Sequence, residues 1–221
     1  MDPIFKAVLT NASEVELLLK SSPVLASSRV AEDLLIETIH WLYVGDTPLH
    51  LAAAALQVRA AKLLLDYGGD ANAQNRRGAT PLHYVCDPRP KSGGVWKPES
   101  QKDLIDLLIQ HGARVEHVDR GGASALHRAV RARSPVAVGA LLKAGARVDS
   151  RLKTRGSTPL HLAVQATGAG GTAGAIDEQL EIIRLLLQYG ANSGAKDCKG
   201  QTVLDRATNE RVRNALTTIG A

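Results

Sequence analysis

Four histidines recur in this chain at regular intervals: His50, His83, His127 and His161, each closing a short Thr/Ser-led tetrapeptide. Imidazole is the side chain best suited to acid–base work near neutral pH and a frequent metal ligand. A metal site needs its ligands to converge on one ion at about 2 Å. Histidines supplied one per repeating unit lie a unit's width apart, so their periodicity argues against a shared metal. The two cysteines, Cys86 and Cys198, are far apart and form neither a CxxC pair nor a disulfide framework, which favours a reducing compartment. Cys86 reads as a buried inert thiol. Cys198, beside Lys199, reads either as a chance exposed cysteine or as a reactive thiol. Gly168-Ala169-Gly170-Gly171 lacks the Lys-Ser/Thr that a phosphate loop requires and reads as filler. With no nucleophile–base order standing apart from the periodic residues, no catalytic site, metal or cofactor is expected.

The elements that carry these residues form a repeat. Thr47-Pro48-Leu49-His50 returns as Thr80-Pro81-Leu82-His83 and Thr158-Pro159-Leu160-His161, with degraded copies at Ser124-Ala125-Leu126-His127 and Thr202-Val203-Leu204-Asp205. Successive copies begin 33, 44, 34 and 44 residues apart, a unit of about 33 residues lengthened twice by roughly a dozen. Each unit also holds a leucine-rich run before glycine: Leu63-Leu64-Leu65 before Gly68, Leu107-Leu108-Ile109 before Gly112, Leu141-Leu142 before Gly145, and Leu185-Leu186-Leu187 before Gly190. The distance from tetrapeptide to leucine run grows only in the two long units. Both extra segments therefore fall between the two halves of a unit.

Each half has a physical reading. The Thr hydroxyl caps free amides of a first turn, and Pro at the first helical position loses no hydrogen bond there. Ala-rich residues such as Leu51-Ala52-Ala53-Ala54 make that helix slim. The second helix, as in Val58-Arg59-Ala60-Ala61-Lys62-Leu63-Leu64-Leu65, keeps an apolar stripe, and glycine ends it. The polar stretch Ala71-Asn72-Ala73-Gln74-Asn75-Arg76-Arg77-Gly78 reads as a projecting β-turn finger.

A finger with glycine, then Thr-Pro-Leu-His, Ala-Ala, a Leu-Leu-Leu run and Gly-Ala, resembles the ankyrin repeat over roughly residues 45–208. The resemblance implies an all-α ankyrin-repeat solenoid of stacked helix pairs with projecting β-turn fingers, used for protein recognition. It also implies that the histidines bond to finger and helix-start backbone. The expected organisation is residues 1–44 as an N-terminal capping helix pair plus an inserted helical segment over 32–40. Four repeats follow over 45–197, with insertions near 88–100 and 168–177, and 198–221 form a polar capping repeat. Ser13 followed by Glu16 reads as the capping box that opens the second N-terminal helix.

The family's groove positions, carried over residue by residue, give candidate partner-binding residues. On the fingers they are Arg76, Arg77, Arg120, Thr154, Arg155, Cys198 and Lys199; on the first helices, Tyr84, Asp87, Arg128, Arg131, Leu162 and Gln165. The stretch is basic, with Asp87 as the exception, and reads either as a solvated face or as a binding stripe for an acidic protein segment. Trp41 and Tyr43 occupy the finger before Thr47, where they serve as a contact hot spot or pin the inserted segment. Trp96, in a Pro/Gly-rich basic insertion, is either a partner anchor or a plug. Formal net charge is +5, too mild by itself to argue nucleic acid; a nucleic-acid partner on the basic fingers is the alternative. Aromatic residues are only 3%, so the core must be built from aliphatic side chains. No long apolar run or secretory signal is visible, and the expectation is a cytoplasmic monomer, with export as an effector left open.

Overall fold

A computed structural model describes residues 2–36, 40–87, 98–165 and 176–219. The chain divides into two compact units, Met1–Asp119 and Arg120–Ala221. In the first unit three helix pairs follow one another: α1 (Pro3–Thr10) and α2 (Ala12–Ser21), α3 (Pro48–Ala54) and α4 (Val58–Asp66), α5 (Pro81–Val85) and α6 (Pro98–Gln110). The second unit holds α7 (Ala125–Arg131) and α8 (Pro135–Lys143), α9 (Pro159–Ala163) and α10 (Ile176–Gln188), α11 (Val203–Arg206) and α12 (Glu210–Ile219). Within each unit the first helices pack in one row, α1–α3–α5 and α7–α9–α11, and the second helices in another, α2–α4–α6 and α8–α10–α12. Every side chain of α3 from Pro48 to Ala54 is buried, as a slim helix between two neighbours must be.

The first helices begin on a reciprocal cap. In four repeats the backbone N–H of the Thr or Ser before the helix donates to Nδ1 of the histidine three residues on: Thr47 to His50 at 3.1 Å, Thr80 to His83 at 3.2 Å, Ser124 to His127 at 3.2 Å and Thr158 to His161 at 3.3 Å. Glu or Gln ordinarily returns this bond in a capping box; here imidazole does. An accepting Nδ1 carries no proton, so the neutral ring's proton sits on Nε2. In two of the four repeats that Nε2–H donates across to the next finger, from His50 to the Ala79 carbonyl at 3.1 Å and from His161 to the Gln201 carbonyl at 3.2 Å. In the last repeat Asp205 takes over, accepting from Thr202 N at 2.8 Å. Among the described residues no group of three or more His, Cys, Asp or Glu is placed to hold a metal.

Two expectations are corrected. The described residues of 32–40 form no helix; strands β1 (Leu34–Ile36) and β2 (His40–Leu42) pair antiparallel there, Leu35 opposite Trp41. Ile36 is β-branched and Trp41 aromatic, and such side chains suit a pleated strand better than a helix turn. The Asp33 carboxylate accepts the Val44 amide at 2.9 Å and closes the open end of this hairpin. The cap of α2 is Asn11, whose side chain accepts the Ser13 amide at 2.9 Å. The Ser13–Glu16 box is displaced because Asn11 already occupies the helix start.

The long repeats spend part of their extra length on helix: α6 and α10 have 13 residues each, against 9 in α4 and α8. A glutamine on that added turn ties it to the preceding first helix, Gln101 Nε2 to the Val85 carbonyl and Gln179 Nε2 to the Ala163 carbonyl, each at 2.7 Å. The insertion ends described here therefore sit at the C-terminal end of the first helix, away from the fingers that precede its N-terminus. In the short repeats Leu56 and Arg133 make the turn at φ 54° and 57°, an unfavourable backbone for side chains with a Cβ. Arg133, 5% exposed, uses the position to donate to the Ala163 carbonyl at 2.8 Å. Burial holds its guanidinium below the ordinary value.

Burial also lowers His161 from its ordinary value of 6.5, with the Gln201 carbonyl and Asp197 opposing the shift and Arg206 and Arg151 adding to it. The unfolded chain thus takes up the proton at higher pH than the folded one. Stability from the neutral cap is complete above about pH 6.5 and is lost as pH falls toward the depressed folded value. Urea midpoints of the wild-type chain should therefore drop between pH 7.5 and 5.5. His161→Gln, which can return the same cap bond without titrating, should show a shallower drop; an unchanged slope would refute this role.

Candidate protein-binding surface

The fingers before Thr80 and Thr202 are each closed by an Asn or Asp five residues before the Thr, Asn75 and Asp197. In the first unit Asn75 Oδ1 accepts the Arg77 and Ala79 amides at 2.9 and 3.0 Å, an Asx-type turn. Its Nδ2 donates to Asp46 Oδ1 at 2.9 Å and to Tyr84 Oη at 3.0 Å. Asp46 is fully buried and also receives the Tyr84 hydroxyl at 2.8 Å and the Tyr43 amide at 2.7 Å. A buried carboxylate is tolerable only when its lone pairs are met in this way.

In the second unit Asp197 repeats the design, accepting the Lys199 amide at 2.8 Å and the Gln201 amide at 3.0 Å, with its other oxygen on the Arg206 guanidinium. Burial alone would raise the Asp197 carboxyl; the Gln201 and Lys199 amides and Arg206 together hold it below the ordinary value. Tyr84 and Arg206 occupy the same repeat position, four residues after the Thr, so that position serves its own finger in both units.

Successive fingers are also bonded to one another through backbone: Arg76 N to the Val44 carbonyl at 2.8 Å, Lys153 N to that of Gly121 at 3.0 Å, and Cys198 N to that of Arg155 at 3.0 Å. Gly122 permits one of these approaches. It has φ 81°, and a Cβ there would lie 2.7 Å from Lys153 N.

The structure sorts the expected contact residues. Tyr43, Arg76 and Arg77 come together in the first unit: the Arg77 guanidinium lies 3.9 Å from the Tyr43 ring centroid, that of Arg76 lies 5.8 Å away and is ion-paired with Asp33. Tyr84, expected on the groove, is 2% exposed, a correction whose cause is its hydroxyl's bond to Asp46. Asp87 and Arg128 are half-buried and Arg131 is exposed, and all three already engage other groups of the chain. Gln165 is half-buried, with its carbonyl accepting from Arg133 and from Gln179 Nε2. Arg120, Thr154, Arg155, Cys198 and Lys199 are exposed. Cys86 is buried. Trp96 and Gly168–Gly171 lie outside the described residues, as does the Trp41 side chain.

Sequence reasoning passed over Asp33, Asp46, Asn75, Lys153 and Lys196. The recurrence of Asn75, Asp119 and Asp197 five residues before a Thr or Ser was the available signal for the finger turn.

A model of three consecutive ankyrin repeats matches residues 4–89 and again 97–173, and a single-repeat model matches 155–198. The chain belongs to the ankyrin-repeat family. Its fold class is accordingly the all-α ankyrin-repeat class, with the β1–β2 hairpin as a local addition. Curated relatives include B-cell lymphoma 3 protein homolog of Mus musculus, 30% identical over 73% of this chain and 32% of that protein. B-cell lymphoma 3 protein of Homo sapiens is 29% identical over 77% of this chain and 41% of its own length. Rabankyrin-5 of Homo sapiens is 36% identical over 52% of this chain and 10% of its own. The chain thus spans well under half of the length of each. Among the described residues no helix is long and apolar enough to cross a membrane.

Because Tyr84 works inside an ankyrin finger, Tyr84→Phe should lower stability by about 1–3 kcal/mol, the cost of leaving the buried Asp46 oxygen short of a donor. Chemical denaturation measures this, and affinity for a protein partner should be unchanged. A variant of wild-type stability with weakened binding would return Tyr84 to the surface role.

Proposed function

We propose that this ankyrin-repeat chain is a non-enzymatic protein-binding module. It takes an acidic surface or segment of a partner protein on its fingertips and the adjoining first-helix positions. One observation carries the reading: the finger backbones are held by internal hydrogen bonds, while Arg120, Arg155 and Lys199 project from them into solvent. A support that is ordered before binding loses little entropy when a partner docks. The residues best equipped for chemistry are otherwise committed, because the periodic histidines use Nδ1 in helix caps. Exposed guanidinium groups on a fixed frame suit carboxylates, to which they donate in pairs.

The test uses a partner captured from native lysate and then purified. Binding by wild-type chain is compared with that by Arg77→Glu/Arg120→Glu/Arg155→Glu in calorimetric titration. Charge reversal at an interface of this kind should weaken binding by about tenfold or more. Unchanged affinity would overturn the finger face. Retention on DNA that falls steeply with salt, with no protein captured, would favour the nucleic-acid alternative.

A further inference from the structure

We propose that the fingertips of the second unit, rather than those of the first, form an anion-recognition edge for an extended Asp/Glu-rich protein segment. The inference rests on the protein-binding reading above and narrows it to one group of residues. Five exposed cations lie on three consecutive fingers there: Arg120, Lys153 and Arg155, Lys196 and Lys199. The fingers are bonded in series, Lys153 N to the Gly121 carbonyl and Cys198 N to the Arg155 carbonyl, each at 3.0 Å. Each finger is itself a bonded pair of legs, as with Leu152 N and the Ser157 carbonyl, so equivalent tips recur about 10 Å apart, roughly three residues of an extended chain.

The acidic groups of these fingers, Glu116 and Asp119 included, already engage other groups of the chain. Asp197 is buried under Arg206 and the Lys199 and Gln201 amides. Asp149 receives the Asn192 amide at 3.1 Å, and Asp205 receives Thr202 N and Oγ1 at 2.8 and 2.7 Å. Lys196 lies near Asp205 without an ion pair to it. Arg151 is spent on backbone, donating to the Gly156 and Lys196 carbonyls at 3.1 and 2.7 Å.

The first unit offers the opposite arrangement. Arg76 is neutralised by Asp33, Arg77 is laid over the Tyr43 ring, and Arg29 donates to the Gly45 and Gln74 carbonyls, both at 3.1 Å. Its cations are consumed in holding the β1–β2 hairpin and the first finger. Those of the second unit face solvent, and among the described residues none of the five is ion-paired with a carboxylate. The exposed residues of these second-unit fingers include no aromatic ring on which a base could stack, so the chemistry favours carboxylates on a peptide over nucleic acid.

The experiment uses the full chain and a fluorescein-labelled octaglutamate peptide, read by anisotropy. Lys153→Gln/Arg155→Gln/Lys199→Gln is compared with a charge-matched control on the second helices, Lys20→Gln/Lys62→Gln/Lys102→Gln, with thermal melts confirming that both fold. The finger variant should bind the peptide about tenfold more weakly, and the control within about twofold of wild type. Wild-type binding should fall strongly between about 0.1 and 1 M salt, as the screening length drops from about 10 to 3 Å. Equal losses in the two variants, no binding of octaglutamate, or tighter binding of a single-stranded oligonucleotide of equal charge would each overturn the inference. If a captured partner protein still binds the finger variant at full strength, the acidic edge fails while the protein-binding function stands. If no partner protein binds the wild-type chain, the broader reading fails.

Discussion

The bond between a Thr or Ser amide and the histidine three residues later is the constraint on which the rest of this molecule depends. It starts α3, α5, α7 and α9, and its geometry places Nδ1 on the helix's own cap. The ring's other nitrogen is thereby free to reach the next finger, as His50 reaches Ala79 and His161 reaches Gln201. One side chain thus terminates a loop, nucleates a helix and couples neighbouring repeats. Asp205 preserves the first two of these tasks in the last repeat but is too short and of the wrong polarity to donate onward.

Fingers built in this way need no rearrangement to present side chains. Their Asx turns, carboxylate networks and backbone bonds from finger to finger satisfy the polar groups that a loop would otherwise offer to water. What remains available is the outward side chain at each tip, and the two units differ there. The first unit engages its tip cations, though exposed, with Asp33 and Tyr43; the second leaves its tip cations exposed without such partners. That contrast comes from the extra hairpin, which brings both an acid and an aromatic ring to the first finger.

Periodicity made the repeat and the slim first helices legible and argued against a shared metal on the histidines; their bonding to finger and helix-start backbone was implied by the resemblance to the ankyrin repeat. The hairpin at 34–42 was not legible in this way: it occurs once, and its Leu34-Leu35-Ile36 run suits helix or strand alone. Its strand state follows from the aromatic Trp41 opposite Leu35 and from Asp33 closing on Val44. Tyr84 was misplaced because family position says which residue faces the groove, not which finds a buried carboxylate behind it. Arg76 and Arg77 lie in the turn that Asn75 closes, but no spacing rule announces that Asp33, 43 positions away, neutralises one of them.

The most direct test of this account is the protonation state of the four periodic histidines, read by nitrogen-15 imidazole spectra of the folded chain at pH 7. The account predicts that His50, His83, His127 and His161 are all neutral, with Nδ1 unprotonated and the proton on Nε2. A histidine among them that is charged at pH 7, or that carries its proton on Nδ1, would contradict it.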